Sequence, residues 1–175
     1  MKQHTILNRI IELMSLFSEQ VRMANSAGLF DINHISENVL VPVFRIVFSL
    51  PDLKNLNLLK MNFPAVDLGD KTAKVSIQVT SDGELSKVKE TLTKFVTHGL
   101  ESDFDRVIVF VLTGRKGTYS VGAIQSATGG KIRFDPDNDI LDFRGIASLL
   151  QALSQADSAA LLRILEDIFG TINED

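Results

Sequence analysis

With 175 residues, 45% of them hydrophobic, the chain can bury one sizeable core, and nothing in it marks a linker that would divide it. A net charge of −4 excludes a strongly basic nucleic-acid coat and leaves room only for a local basic stripe. The absence of cysteine removes disulfides, thiolate zinc sites and cysteine nucleophiles, and agrees with a reducing compartment. The start, Met1-Lys2-Gln3-His4, runs straight into an amphipathic pattern rather than the apolar block of a signal peptide. No apolar run approaches the roughly 20 residues that span a bilayer, so the expected setting is cytoplasmic, away from membranes.

Ile6, Leu7, Ile10, Ile11, Leu13, Met14, Phe17 and Val21 recur at helical spacing and predict an amphipathic helix over residues 3–24. Asn25-Ser26-Ala27-Gly28 stops it. A second helix is expected from Asn33 or Ser36, with Glu37 in its first turns and either a kink or a restart at Pro42. Residues 51–62 read as loop. Phe63–Asp70 and Val75–Ser81 read as a β-hairpin turning on Lys71-Thr72-Ala73-Lys74. Asp82-Gly83 leads into a helix over 84–98 whose inner face is Leu85, Val88, Leu92, Phe95 and Val96. Arg106–Leu112 is a continuous apolar run, the pattern of a strand buried on both faces. Tyr119–Gln125 and Lys131–Phe134 are weaker strand candidates, and 142–153 and 158–169 predict two closing helices. The order α-α-β-β-α-β-β-β-α-α predicts an α/β fold, a mixed sheet of four or five strands flanked by helices, with the helix after the hairpin as a crossover.

The hairpin register follows from its pattern. If Leu68 faces Ile77, then Val66 faces Val79 and Asp67 faces Gln78. Val66, Leu68, Val75, Ile77 and Val79 then share one face, and Asp67, Ser76, Gln78 and Thr80 share the other. A two-stranded ribbon with an Asp on one strand and an acceptor side chain opposite is the usual frame of a Mg²⁺-dependent nuclease site. In nucleases of the restriction-endonuclease-like fold, hard oxygen ligands hold a divalent metal. A typical set is a helical Glu, an Asp on the first hairpin strand and a Glu or Gln on the second. A Lys two residues further on positions the attacking water. This chain offers Glu37, Asp67 and Gln78 in that order, with Thr80 where the Lys would stand.

Phe63-Pro-Ala-Val-Asp-Leu-Gly-Asp70, Ile77-Gln-Val-Thr-Ser81 and Thr91-Leu-Thr-Lys-Phe95, with Asp31-Ile-Asn33 and Glu37-Asn38, resemble the SMEK domain, a module of bacterial multidomain proteins. The resemblance covers residues 5–155. It implies a divergent restriction-endonuclease-like branch, placed where the effector of a defence-type (anti-phage) protein would stand. On that expectation Asp67, Gln78 and Glu37 would hold Mg²⁺ or Mn²⁺. Lys94, supplied by the helix after the hairpin alongside Lys87 and Lys89, would replace the missing Lys.

Other residues read more plainly. Asp70 belongs with the turn residues Gly69-Asp70-Lys71. Arg115-Lys116 forms a basic loop that could contact phosphates of nucleic acid, DNA being the expected substrate. His4, His34 and His98 show no metal-ligand spacing and read as structural or surface. No phosphate-loop, Gly-x-Gly-x-x-Gly or Gly-x-Ser-x-Gly pattern is present, which counts against nucleotide hydrolases and α/β-hydrolases. The chain is thus expected to be one SMEK, nuclease-like domain over 1–175. Its polar ending, Thr171–Asp175, would suit a terminus or a linker to a regulatory domain. The competing reading is a degenerate nuclease fold kept for protein interaction, with the apolar terminal helices as a homodimer surface. A third is a nucleic-acid sensor that binds without cutting.

Overall fold

The computed structural model describes residues 2–170. The first helix, α1 (Gln3–Ser26), buries Ile6, Ile10, Leu13, Met14, Phe17 and Val21, the stripe its spacing predicts. It ends where the Leu29 N–H returns to the Ala24 carbonyl at 2.8 Å, with Gly28 at φ +76°. The second helix, α2 (Asp31–Val47), starts ahead of Asn33 and continues through Pro42 without restarting. An interior proline costs a helix about 3 kcal/mol. Burial of Leu40, Val41, Val43, Phe44 and Val47 against the core offsets that cost.

Residues 51–62 are more ordered than a loop. They hold a short strand, β1 (Lys54–Asn55), and a single helical turn, α3 (Leu56–Leu59). Asn55 caps that turn by accepting from the Asn57 N–H at 3.0 Å. Arg45 of α2 anchors the segment, donating through Nε and Nη2 to the Leu53 carbonyl at 3.0 and 2.7 Å.

The hairpin forms as expected, with β2 (Leu68–Asp70) antiparallel to β3 (Val75–Thr80) and Leu68 opposite Ile77. Asp70 belongs to the turn: its carboxylate accepts from the Ala73 N–H at 2.8 Å and the Asp52 N–H at 3.1 Å. Val66 departs from the expected face. Ala65 has φ +67° and the Val66 N–H turns back to the Pro64 carbonyl, so strict alternation starts only after it. Leu68, Ile77 and Val79 therefore pack with α1 and α2, whereas Val66 packs on the opposite side of the sheet.

Helix α4 (Leu85–Thr97) crosses over to β4 (Arg106–Val111), which pairs parallel with β3. Alternate residues of β4 serve the two cores, Ile108 and Phe110 one and Val107, Val109 and Val111 the other, as an all-apolar strand requires. A last short strand, β5 (Ile140–Leu141), pairs parallel with β4 and completes a mixed sheet in the order β1-β2-β3-β4-β5. Helices α1, α2, α7 (Phe143–Leu149) and α8 (Gln155–Gly170) cover one face. Helices α4 and α5 (Val121–Thr128) cover the other.

Two weaker expectations are corrected. The Tyr119–Gln125 stretch is not a strand, since most of it belongs to α5. Ser120 caps that helix by accepting from the Ala123 N–H at 3.2 Å, and Gly129 ends it at φ +62°. Lys131–Phe134 is irregular, and the chain reaches the sheet only after the short helix α6 (Pro136–Asp139). Thr171–Asp175 lies outside the described residues. Among the described residues no helix is long and apolar enough to cross a membrane.

The close approach of Phe104 to β2 gives a direct check. A Cβ at Gly69 would meet the Phe104 ring at 2.8 Å and Leu56 Cδ1 at 3.0 Å. Gly69→Ala should therefore lower stability by about 1–3 kcal/mol in denaturant unfolding. An unchanged midpoint would mean that the ring does not lie on β2.

Candidate functional site

Glu37 on α2, Asn57 on α3 and Asp67 just ahead of β2 line one cleft of about 630 Å³, together with His34, Lys94 and His98. A smaller recess on the other side of Asp67 brings in Gln78 of β3 and Lys87 of α4. The fold therefore gathers all four residues anticipated for catalysis, Glu37, Asp67, Gln78 and Lys94, around one opening. It also adds Asn57 and His34.

Asn57 was not foreseen, yet it connects the two acids. Its Oδ1 accepts from the Phe63 N–H at 3.0 Å, which turns its NH₂ group toward the carboxylates. Nδ2 then donates to Glu37 Oε2 at 3.4 Å and Asp67 Oδ1 at 3.3 Å. The remaining Asp67 oxygen accepts from the Val79 N–H at 2.9 Å, and Glu37 Oε1 lies 3.3 Å from His34 Nδ1. Residues 51–62 read as loop in the sequence, and nothing in their pattern points to a contact with residues 20 and 10 positions away.

Burial holds both carboxyls above the ordinary carboxylate range. For Glu37 desolvation is the largest cause and the Asp67 charge the next, with His34 and Asn57 pulling the other way. For Asp67 desolvation again leads, opposed by the hydrogen bonds from Val79 and Asn57 and by the charges of His34 and Lys87.

The Gln78 amide is the third oxygen-bearing group here. With its nitrogen inward it donates to the Ala65 carbonyl at 2.6 Å and to Asp67 Oδ2 at 3.0 Å. With its oxygen inward, three acceptors would face one another with no proton between them. A cation, a donating water or a protonated Asp67 would satisfy that arrangement. Among the described residues no three His, Asp or Glu side chains gather closely enough to hold a metal by themselves. A hard cation would therefore need Asp67 and Glu37 supplemented by the Gln78 amide oxygen and the Ala65 carbonyl. Those are the ligand types that Mg²⁺ or Mn²⁺ accepts, and the Gln78 amide would have to turn its oxygen toward Asp67 to complete them.

The cation supply comes from α4. Lys94 lines both parts of the cleft, with Nζ 2.7 Å from Glu90 Oε1 one turn earlier. Lys87 lines the Gln78 side and its charge acts on Asp67. Thr80 contributes nothing to the cleft. It is buried, and its hydroxyl accepts from the Asp82 N–H at 3.0 Å, shaping the exit from β3. His34 is on the surface as expected, although it borders the cleft, as does His98.

Arg115 and Lys116 lie elsewhere, after the end of β4. Arg115 Nη1 donates to the Pro136 and Ile140 carbonyls at 2.9 and 2.7 Å, and its guanidinium lies 5.2 Å from the centre of the Tyr119 ring. Lys116 is exposed and pairs with Glu84 at 3.1 Å.

The raised carboxyls predict a specific pH dependence. The native state keeps protons that the unfolded chain has already released, so this pair lowers stability as pH rises from the unfolded carboxyl pKa through the folded values. Asp67→Asn should flatten that decline above the ordinary carboxylate pKa in thermal unfolding. A variant with the wild-type slope would show that Asp67 is not desolvated.

The sequence pattern of the SMEK domain matches residues 9–151. No curated protein and no solved structure matches the chain. The match takes in most of α1, all of α2 and α3, every strand of the sheet and all residues of the cleft, and the chain belongs to the SMEK domain family.

Proposed function

We propose that this SMEK domain is a Mg²⁺- or Mn²⁺-dependent phosphodiesterase of restriction-endonuclease-like descent that cuts nucleic acid, with DNA as substrate. The observation that carries the reading is that Asp67 shares one cleft with Glu37 and an adjoining recess with Gln78, the three coming from a helix and the two limbs of a hairpin that precedes a crossover helix. That is the order and placement which the family resemblance implied. A desolvated carboxylate pair that resists ionisation is also a place where a bound cation gains most.

A divalent cation, when bound, would polarise the phosphate and lower the pKa of the water that attacks it. The protein's own contribution is largely orientation. Val79 N–H and Asn57 hold the two Asp67 oxygens, and Asn57 keeps Glu37 turned into the same space. Lys94 stands in for the Lys that Thr80 replaces, orienting the water and opposing negative charge as it develops. Its ion pair with Glu90 is exposed and weak, so the ammonium can leave Glu90 for a phosphate oxygen. The effector role in defence against phage, and a regulatory domain acting on it, follow from the resemblance.

A specific observation favours a second reading. Thr80 is committed to the turn, and the carboxylates alone do not complete a metal shell. Both would be expected of a nuclease fold that has lost its chemistry and serves protein interaction or self-association.

The test is cleavage of linear and supercoiled DNA with Mg²⁺ or Mn²⁺. Wild-type protein should cut, Asp67→Ala should fall to background, and Lys94→Ala should lose about 100-fold or more. No cutting by the wild type under either metal would favour the interaction reading. Full activity in Asp67→Ala would remove this cleft from the mechanism.

A further inference from the structure

A second concave site lies toward the β5 side of the sheet, beyond the carboxyl ends of the parallel strands β4 and β5. A polar recess of about 190 Å³ is bounded by Thr113-Gly114-Arg115 after β4, Asp142-Phe143-Arg144 after β5, and Ser18 and Arg22 of α1. It continues, through Ser18, Arg22, Phe143 and Arg144, into a chamber of about 230 Å³ between α1 and α7. The walls of that chamber include Ile11, Met14, Phe143 and Ala147. The space outside the carboxyl ends of parallel strands is where open α/β sheets generally take their ligands.

The charges of the recess are unequal in what they can offer. Arg22 donates twice to the Thr113 carbonyl, at 3.0 and 2.8 Å, and meets Glu19 at 3.2 Å. Arg115 is held by the Pro136 and Ile140 carbonyls. The one acid within the recess, Asp142, accepts from the Arg115 N–H at 3.0 Å and the Gly145 N–H at 2.9 Å. Arg144 is exposed and makes no hydrogen bond or ion pair among the described residues, so its whole donor fork remains for a ligand. Gly114, at φ +102°, brings the backbone round between Arg22 and Asp142, and a Cβ there would stand 3.4 Å from Arg22 Nη2.

We propose that this site binds a nucleoside monophosphate, its phosphate on Arg144 and Arg22 and its base in the chamber lined by Ile11, Met14, Phe143 and Ala147. The guanidinium fork matches phosphate geometry, and two fixed arginines reinforce the potential around a free third. The chamber has Ile11, Met14, Phe143 and Ala147 on its apolar side and Ser15, Ser18, Arg22 and Arg144 on its polar side. Joined to a cationic recess, it accommodates a molecule with a flat ring of polar edges at one end and a double charge at the other. The site shares no residue with the Asp67 cleft, so it stands or falls independently of the nuclease reading.

Calorimetric titration of the full chain with AMP, adenosine and inorganic phosphate tests it. AMP should bind more tightly than either fragment. Arg144→Ala should weaken AMP by roughly 10-fold or more, the loss of a charge-assisted contact. Ala147→Leu, which fills the chamber, should weaken AMP while leaving phosphate unchanged. No AMP binding at millimolar concentration would overturn the proposal. So would AMP binding no tighter than phosphate, or AMP binding indifferent to both variants.

Discussion

The Leu68–Ile77 register of the hairpin is the constraint on which the candidate site depends. Burial pins it: Leu68, Ile77 and Val79 enter the core under α1 and α2, and a slip of one residue would turn them toward the opposite helical layer. With the register fixed, Asp67 lies opposite Gln78 and beside the Val79 N–H, which accounts for the orientation of its carboxylate. The irregular turn at Ala65 then lets Val66 leave the expected face and plug the other core. The carboxylate that follows it is thereby held at the rim of the sheet, where a cleft can open.

That placement is unfavourable for folding. Two carboxyls face one space, each desolvated, with an amide from Asn57 as their shared neutral partner. A sequence selected only for stability would place apolar or amide side chains there. Two acids, an amide and two lysines of α4 gathered in this way are what the proposed chemistry would use. The second concave site, at the carboxyl ends of the parallel strands, places its arginines on the opposite logic. Two are immobilised by backbone carbonyls, and one is left unpartnered among the described residues.

Much of this architecture was legible in the sequence because its elements carry strong periodicity. The stripe of α1, the alternation of β3 and the all-apolar β4 each admit one reading. The failures have physical causes. Tyr119–Gln125 has β-rich composition, but the Ser120 cap and Gly129 stop decide for helix. Strand β5 is two residues long, too short for any alternation, and exists only because β4 offers it an edge. Proline normally interrupts a helix, yet α2 passes through Pro42 because both sides of it are buried in the same core. At the candidate site, the facing of Asp67 and Gln78 was readable from the alternation of the hairpin. Asn57 was not, because its role comes from contacts across the fold.

The central claim is that Asp67, with Glu37 in its cleft and Gln78 in the recess beside it, takes up a hard divalent cation. Titration of Mn²⁺ into the wild-type chain and into Asp67→Ala, read by calorimetry and by the electron paramagnetic resonance of the free ion, addresses it without any substrate. The account predicts saturable binding to the wild type that is lost in the variant. Absence of binding to the wild type, or equal binding to both proteins, would contradict it.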